Sequence, residues 1–149
     1  MIGGSIGPPL SVNILCVCTH NYFRSQIAAA LLRARGYRNV LSAGTATADL
    51  GPPPHPNVLN AISIYGAEAR PYSPQSISQQ LVEWADMILC AEEEHRAAVL
   101  RDFPGCKAEL VVMNIPDDGV NNSEAVLDGA RQISGFINDK GLFPGRYFI

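Results

Sequence analysis

Apolar positions along this chain fall into two alternating patterns. Four short runs are nearly continuous in apolar residues: "VNILCV" at 12–17, "NVLSAG" at 39–44, "ADMILCA" at 85–91 and "AELVVMN" at 108–114. Runs of this length and composition predict buried strands. The segments between them carry helical spacing instead. In "RSQIAAALLRAR" (24–35), Ile27, Ala28, Leu31 and Leu32 share one helical face, Arg33 and Arg35 fall in the last turn, and Gly36 is a stop. "NVLNAISIYG" (57–66) predicts a short helix closed by Gly66, and "SISQQLVEW" (76–84) another, capped by Ser76 or Ser78. "EEEHRAAVLRDF" (92–103) reads as an acid-started helix, and residues 123–138 as a last helix capped by Ser123. "TATADLGPPPHP" (45–56), with four prolines, is loop.

Strands alternating with helices predict an α/β domain, a parallel sheet with helices on both faces. In such sheets ligands collect beyond the carboxyl ends of the strands, near the point where strand order reverses. No repeat, heptad run or linker divides the chain. The Gly/Pro-rich residues 1–11 read as a flexible N-terminal arm, and residues 12–149 as one domain.

Composition narrows the function classes. The chain has 149 residues, 47% hydrophobic and 17% charged, a balance suited to one compact core rather than to disorder. Net charge is −3 and no basic cluster occurs, which argues against nucleic-acid binding and against a polybasic membrane anchor. No apolar run approaches the roughly 18 residues that would span a bilayer. The start "MIGGSIGPPLSV" has no lysine or arginine and does not read as a secretory signal. Cys16, Cys18, Cys90 and Cys106 match no zinc spacing, and reduced thiols in a cytoplasmic protein are expected.

The candidate chemistry lies at "CTHNYFRSQ" (18–26), where the first strand ends and the first helix begins. Five residues between Cys18 and Arg24 can curl so that successive backbone N–H groups point inward. Such a cup binds a tetrahedral oxyanion, helped by the positive end of the following helix. Arg24 can bind two phosphate oxygens in a bidentate fork. The same field favours thiolate over thiol at Cys18, a nucleophile in line with a trapped phosphoryl group. Ser25 can donate a hydrogen bond to that sulfur.

The segment "ILCVCTHNYFRSQIAAALL", with "SAGT" (42–45), "LVEWADMIL" (81–89) and "NIPDD" (114–118), resembles low-molecular-weight protein tyrosine phosphatases and the related thioredoxin-coupled arsenate reductases. The resemblance implies a single three-layer domain with a four-stranded parallel sheet flanked by helices. It implies a hydrolase with Cys18 as nucleophile, Arg24 as phosphate clamp and Asp117 as general acid. Asn21 would hold the loop's shape, Ser25 would steady the sulfur, and Asp118 is a supporting carboxylate or itself the acid. Residues Cys18, Thr19, His20, Asn21, Tyr22, Phe23 and Arg24 would form the phosphate-binding loop. No metal or other cofactor is expected, and the partner is a phosphate-ester substrate.

Several positions depart from the family pattern. His20 stands where the loop usually has glycine, and Phe23 where it often has a second cysteine. Neither "TATADLGPPPHP" nor "DGVNN" (118–122) has an aromatic residue to flank an aryl phosphate, which makes small-molecule or sugar-type esters an alternative. His20 at the rim is either a substrate contact or a solvent-facing loop residue. Gln26 is closer to the arsenate reductases, but a disulfide relay from Cys90 has no suitably spaced partner. Cys90 and Cys16 are therefore expected in the core.

Other signals carry little. "GGSIG" (3–7) matches a hydrolase nucleophile elbow but lacks the strand and helix that such an elbow needs. "NNS" (121–123) is a glycosylation sequon that a cytoplasmic chain would not use. His95 in "EEEH" reads as solvated, His55 as loop surface, and Trp84 as core.

Overall fold

A computed structural model describes residues 8–46, 55–69 and 73–142. Four strands, β1 (Asn13–Cys18), β2 (Asn39–Gly44), β3 (Met87–Cys90) and β4 (Glu109–Val112), form one sheet in the order β2-β1-β3-β4. All three pairings are parallel. Five helices connect or follow them: α1 (Arg24–Ala34), α2 (Pro56–Ile64), α3 (Gln79–Trp84), α4 (Glu93–Asp102) and α5 (Ser123–Asp139). The predicted α/β architecture, a four-stranded parallel sheet between two helical layers, is the one observed.

Side-chain alternation along β1 divides the core. Ile14, Cys16 and Cys18 join one apolar cluster with residues of α1, α2 and α5, while Leu15 and Val17 join the second, under α3 and α4. Both faces of β1 and β3 are covered, which is why their sequences are runs and not alternations. Cys16 and Cys90 are fully buried, as expected. Trp84 is half-buried against the second cluster.

Element ends differ from expectation by one to three residues, and the caps explain some of the differences. Ser78, not Ser76, caps α3, accepting from the Leu81 N–H. The cap of α5 is Asn122 and not Ser123: its Oδ1 accepts from the N–H groups of Glu124 and Ala125, leaving Ser123 as the first helical residue. His55 is not loop surface. It caps α2, with Nδ1 accepting from the Asn57 N–H at 3.1 Å.

Chain order reverses around β1. The chain leaves β1 for β2 on one side, then crosses back through α2 and α3 to β3 on the other. The carboxyl ends of β1 and β3 therefore flank the switch point, where a crevice forms. Residues 1–7 of the expected arm, with "GGSIG", lie outside the described residues, as do 47–54 of the proline-rich loop. Among the described residues, no helix is long and apolar enough to cross a membrane.

Candidate active site

The chain leaves β1 at Cys18 and enters α1 at Arg24. Between them Asn21 takes a left-handed conformation, φ 59°, which bends the loop back on itself. Asparagine tolerates this region better than most residues because its short side chain can bond locally. Here Asn21 is buried and does three things. Its Nδ2 donates to Ser25 Oγ at 2.8 Å, its Oδ1 accepts from the Gln75 N–H at 3.0 Å, and its carbonyl accepts from Gln26 Nε2 at 3.2 Å.

Cys18 is 3% exposed, and its Sγ lies 3.0 Å from Ser25 Oγ. With Asn21 donating to that oxygen, the Ser25 hydroxyl proton is left to point at the sulfur. The first turn of α1 has no side-chain cap, so its leading amides are not claimed by a capping side chain. Packing beneath the loop is tight. A Cβ added to Gly44 would lie 2.5 Å from the Thr19 carbonyl oxygen, and the Thr45 and Ala46 amides bond the carbonyls of Cys18 and Thr19.

Arg24 is 2% exposed, so its charge needs partners. Its Nη1 donates to a carboxylate oxygen of Glu92, at the mouth of α4, and at 2.8 Å to the Ile115 carbonyl. Its Nη2 lies 3.7 Å from Asp117 Oδ2. Asp117 is half-exposed, and its Oδ1 accepts from the Gly119 N–H at 3.0 Å. Asp118 is exposed. The structure thus brings Cys18, Asn21, Arg24, Ser25 and Asp117 together and leaves Asp118 facing solvent.

The remaining loop residues divide. Tyr22 is half-buried, its hydroxyl pKa raised by burial first and then by Asp117 and Cys18 nearby. His20 is half-buried with its ring 5.8 Å from that of Tyr22. Phe23 turns away from the crevice into the core, its ring over Gly129 of α5.

His95 corrects its expected place in solvent. It is 1% exposed, with Nε2 2.8 Å from Thr19 Oγ1 and Nδ1 accepting from the Glu92 N–H at 2.9 Å. Glu92 accepts in return from the His95 N–H, so the two form a capping box at the start of α4. Burial, then the Arg24 charge, hold the imidazole below its ordinary pKa. Neither Glu92 nor His95 was singled out from sequence as part of the site. The signal available was the Glu-x-x-His spacing just after a predicted strand.

A parallel α/β sheet with a cysteine-to-arginine loop at its switch point defines a class of cysteine-dependent phosphatases. The family model described as low molecular weight phosphotyrosine protein phosphatase matches residues 13–124, and the chain belongs to that family. No curated protein matches it by sequence. Among solved structures it is similar to Vibrio vulnificus Wzb in complex with benzylphosphonate, at 21% identity and TM-score 0.78, covering 86% of this chain and 95% of that one. A low molecular weight phosphotyrosine phosphatase of Vibrio cholerae O395 is 26% identical, TM-score 0.73, covering 88% and 97%. The YwlE arginine phosphatase of Geobacillus stearothermophilus is 22% identical, TM-score 0.72, covering 85% and 88%.

Proposed function

We propose that this protein hydrolyses phosphomonoesters through a cysteinyl-phosphate intermediate, with residues 18–24 as the phosphate-binding loop of a catalytic domain spanning 12–149. The observation that carries this reading is the pairing of Cys18 Sγ with Ser25 Oγ at an uncapped helix start, beside a buried Arg24. Arg24 is anchored through Nη1 by Glu92 and Ile115, and in this reading its remaining N–H groups donate to phosphoryl oxygens. The Cys18 sulfur attacks phosphorus, the P–O bond breaks, and Asp117 gives its proton to the leaving oxygen. Asp117 then takes a proton from water, whose oxygen attacks phosphorus, breaks the P–S bond and releases phosphate. Asn21 and Ser25 hold the loop and the sulfur, and no step calls for a metal.

A small-molecule or sugar-type ester is the alternative to an aryl phosphate. Solved phosphatases of this fold include ones named for tyrosine and for arginine, so the fold alone does not choose the leaving group. Among the described residues beside the loop, Phe23 is turned inward and Tyr22 is the ring left near Asp117, while 118–122 carry no aromatic side chain. Tyr22 alone offers an aryl group little to stack on, which keeps small-molecule or sugar-type phosphates in play. An arsenate reductase relay fits less well, because Cys90 is fully buried and its thiol is pushed up to about 12 by burial. Four free cysteines and a net charge of −3 suit a reducing, cytoplasmic setting without nucleic-acid or membrane partners.

The test is turnover of para-nitrophenyl phosphate in the presence of a chelator. Wild type is expected to turn over and Cys18→Ser to lose activity by several orders of magnitude. Hydrolysis that survives in the serine variant would remove the mechanism. A panel of aryl, sugar and peptide phosphates then ranks the leaving groups.

A further inference from the structure

Two residues outside the loop touch both of its ends. We propose that Glu92 and His95, the capping box of α4, are positioning residues that hold the loop closed: His95 binds Thr19 at its start and Glu92 binds Arg24 at its end. The proposal rests on residues 18–24 being the phosphate-binding loop, and it names what keeps that loop in shape.

The hydrogen-bond pattern fixes the protonation state the device needs. His95 Nδ1 accepts from the Glu92 amide, so the proton of the neutral ring sits on Nε2, which donates to Thr19 Oγ1. A second proton on Nδ1 would face the Glu92 N–H, donor against donor. The capping box would then open, and Glu92 is the same residue whose carboxylate holds Arg24. One protonation event would loosen both ends of the loop. The charges around the ring are Arg24 from α1, which opposes protonation, and Glu92 and Glu94 of α4, which favour it; Asp117 lies across Arg24. Burial adds to the Arg24 effect, so the neutral ring persists at neutral pH and the clamp opens only in acid.

The experiment compares pH–rate profiles for para-nitrophenyl phosphate in wild type, His95→Gln, His95→Leu and Thr19→Val. Glutamine at this position can accept from the Glu92 amide and donate to Thr19, yet does not titrate. His95→Leu is expected to lower kcat/KM by about 10- to 100-fold, the scale of a small misplacement of reacting groups. His95→Gln is expected to recover most of that loss and to lack the part of the acid limb that comes from His95. Imidazole nitrogen NMR of the wild type should show the Nε2–H tautomer at neutral pH.

An acid limb identical in His95→Gln and wild type, a wild-type kcat/KM in His95→Leu, or an Nδ1–H tautomer would each overturn the proposal. Should His95→Leu fail to fold, Thr19→Val keeps the histidine and must still lower kcat/KM. Failure of the catalytic reading itself looks different: turnover would then survive Cys18→Ser, whatever the His95 variants do.

Discussion

Asp117 and Asp118 are neighbours in sequence, and the fold gives them different surroundings. Asp117 stays partly exposed but reaches Arg24, with one oxygen 3.7 Å from Nη2 and the other held by the Gly119 amide. Asp118 is exposed. A general acid must reach the leaving oxygen of a phosphoryl group bound at Arg24, and only the first carboxylate is beside that guanidinium. Asp117→Asn should lower kcat by about 10²–10⁴-fold, the usual worth of a positioned acid. Asp118→Asn should stay close to wild type. A leaving group of low pKa, which needs no proton, should narrow the gap between Asp117→Asn and wild type. Equal activity in the two variants would place the acid elsewhere.

Phe23 of the loop is housed against α5. A large ring in the loop, where the family often has cysteine, needs space, and α5 supplies it at Gly129. A Cβ there would lie 2.9 Å from the Phe23 Cζ. Gly to Ala inside a helix ordinarily gains about 1 kcal/mol, whereas overpacking a tight core costs about 1–3 kcal/mol. Gly129→Ala should therefore destabilise the protein, and the same change in a Phe23→Leu background should stabilise it. Urea denaturation of the four variants reads the sign change, and a stabilising Gly129→Ala in the wild-type background would refute the packing argument. No single-sequence pattern foretold this pairing. The strands and α1 were legible because their patterns come from burial on two faces and from Gly36, which local chemistry alone decides. So was the placing of Cys18 at the end of β1 and Arg24 at the start of α1, because strand end, loop length and helix start are contiguous. His95 was not, since "EEEH" has a polar composition and its partner Thr19 lies 76 residues away. Asn122 and Ser123 are both good cap residues, and only the backbone turn, which puts Ser123 at the first helical position, chooses between them.

Among the described residues, the ionisable groups that burial perturbs most are uncharged at neutral pH. Burial pushes the Cys16 and Cys90 thiols from 9.0 up to about 12, and the Tyr37 hydroxyl from 10.0 up to about 12. All three acids keep their protons longer in the folded state than in the unfolded chain. Above pH 9 the unfolded state therefore binds fewer protons, and stability must fall as pH rises through 9–12, by up to about 1.4 kcal/mol per pH unit for each group. Below pH 9 that contribution is fully present. Tyr37 offers the cleanest check, because its hydroxyl is buried with no hydrogen-bond partner among the described residues. Tyr37→Phe keeps the ring and removes a polar atom that is desolvated without compensation, which should raise stability by about 1–3 kcal/mol at neutral pH. It should also flatten the decline above pH 10, since one of the three titrating groups is gone. Urea midpoints for wild type and Tyr37→Phe, measured at pH 7.5, 9 and 10.5, separate the two effects. A loss of stability in Tyr37→Phe at neutral pH would mean the hydroxyl has a partner after all. An unchanged alkaline slope would mean that Tyr37 ionises in the folded protein as readily as in the unfolded chain.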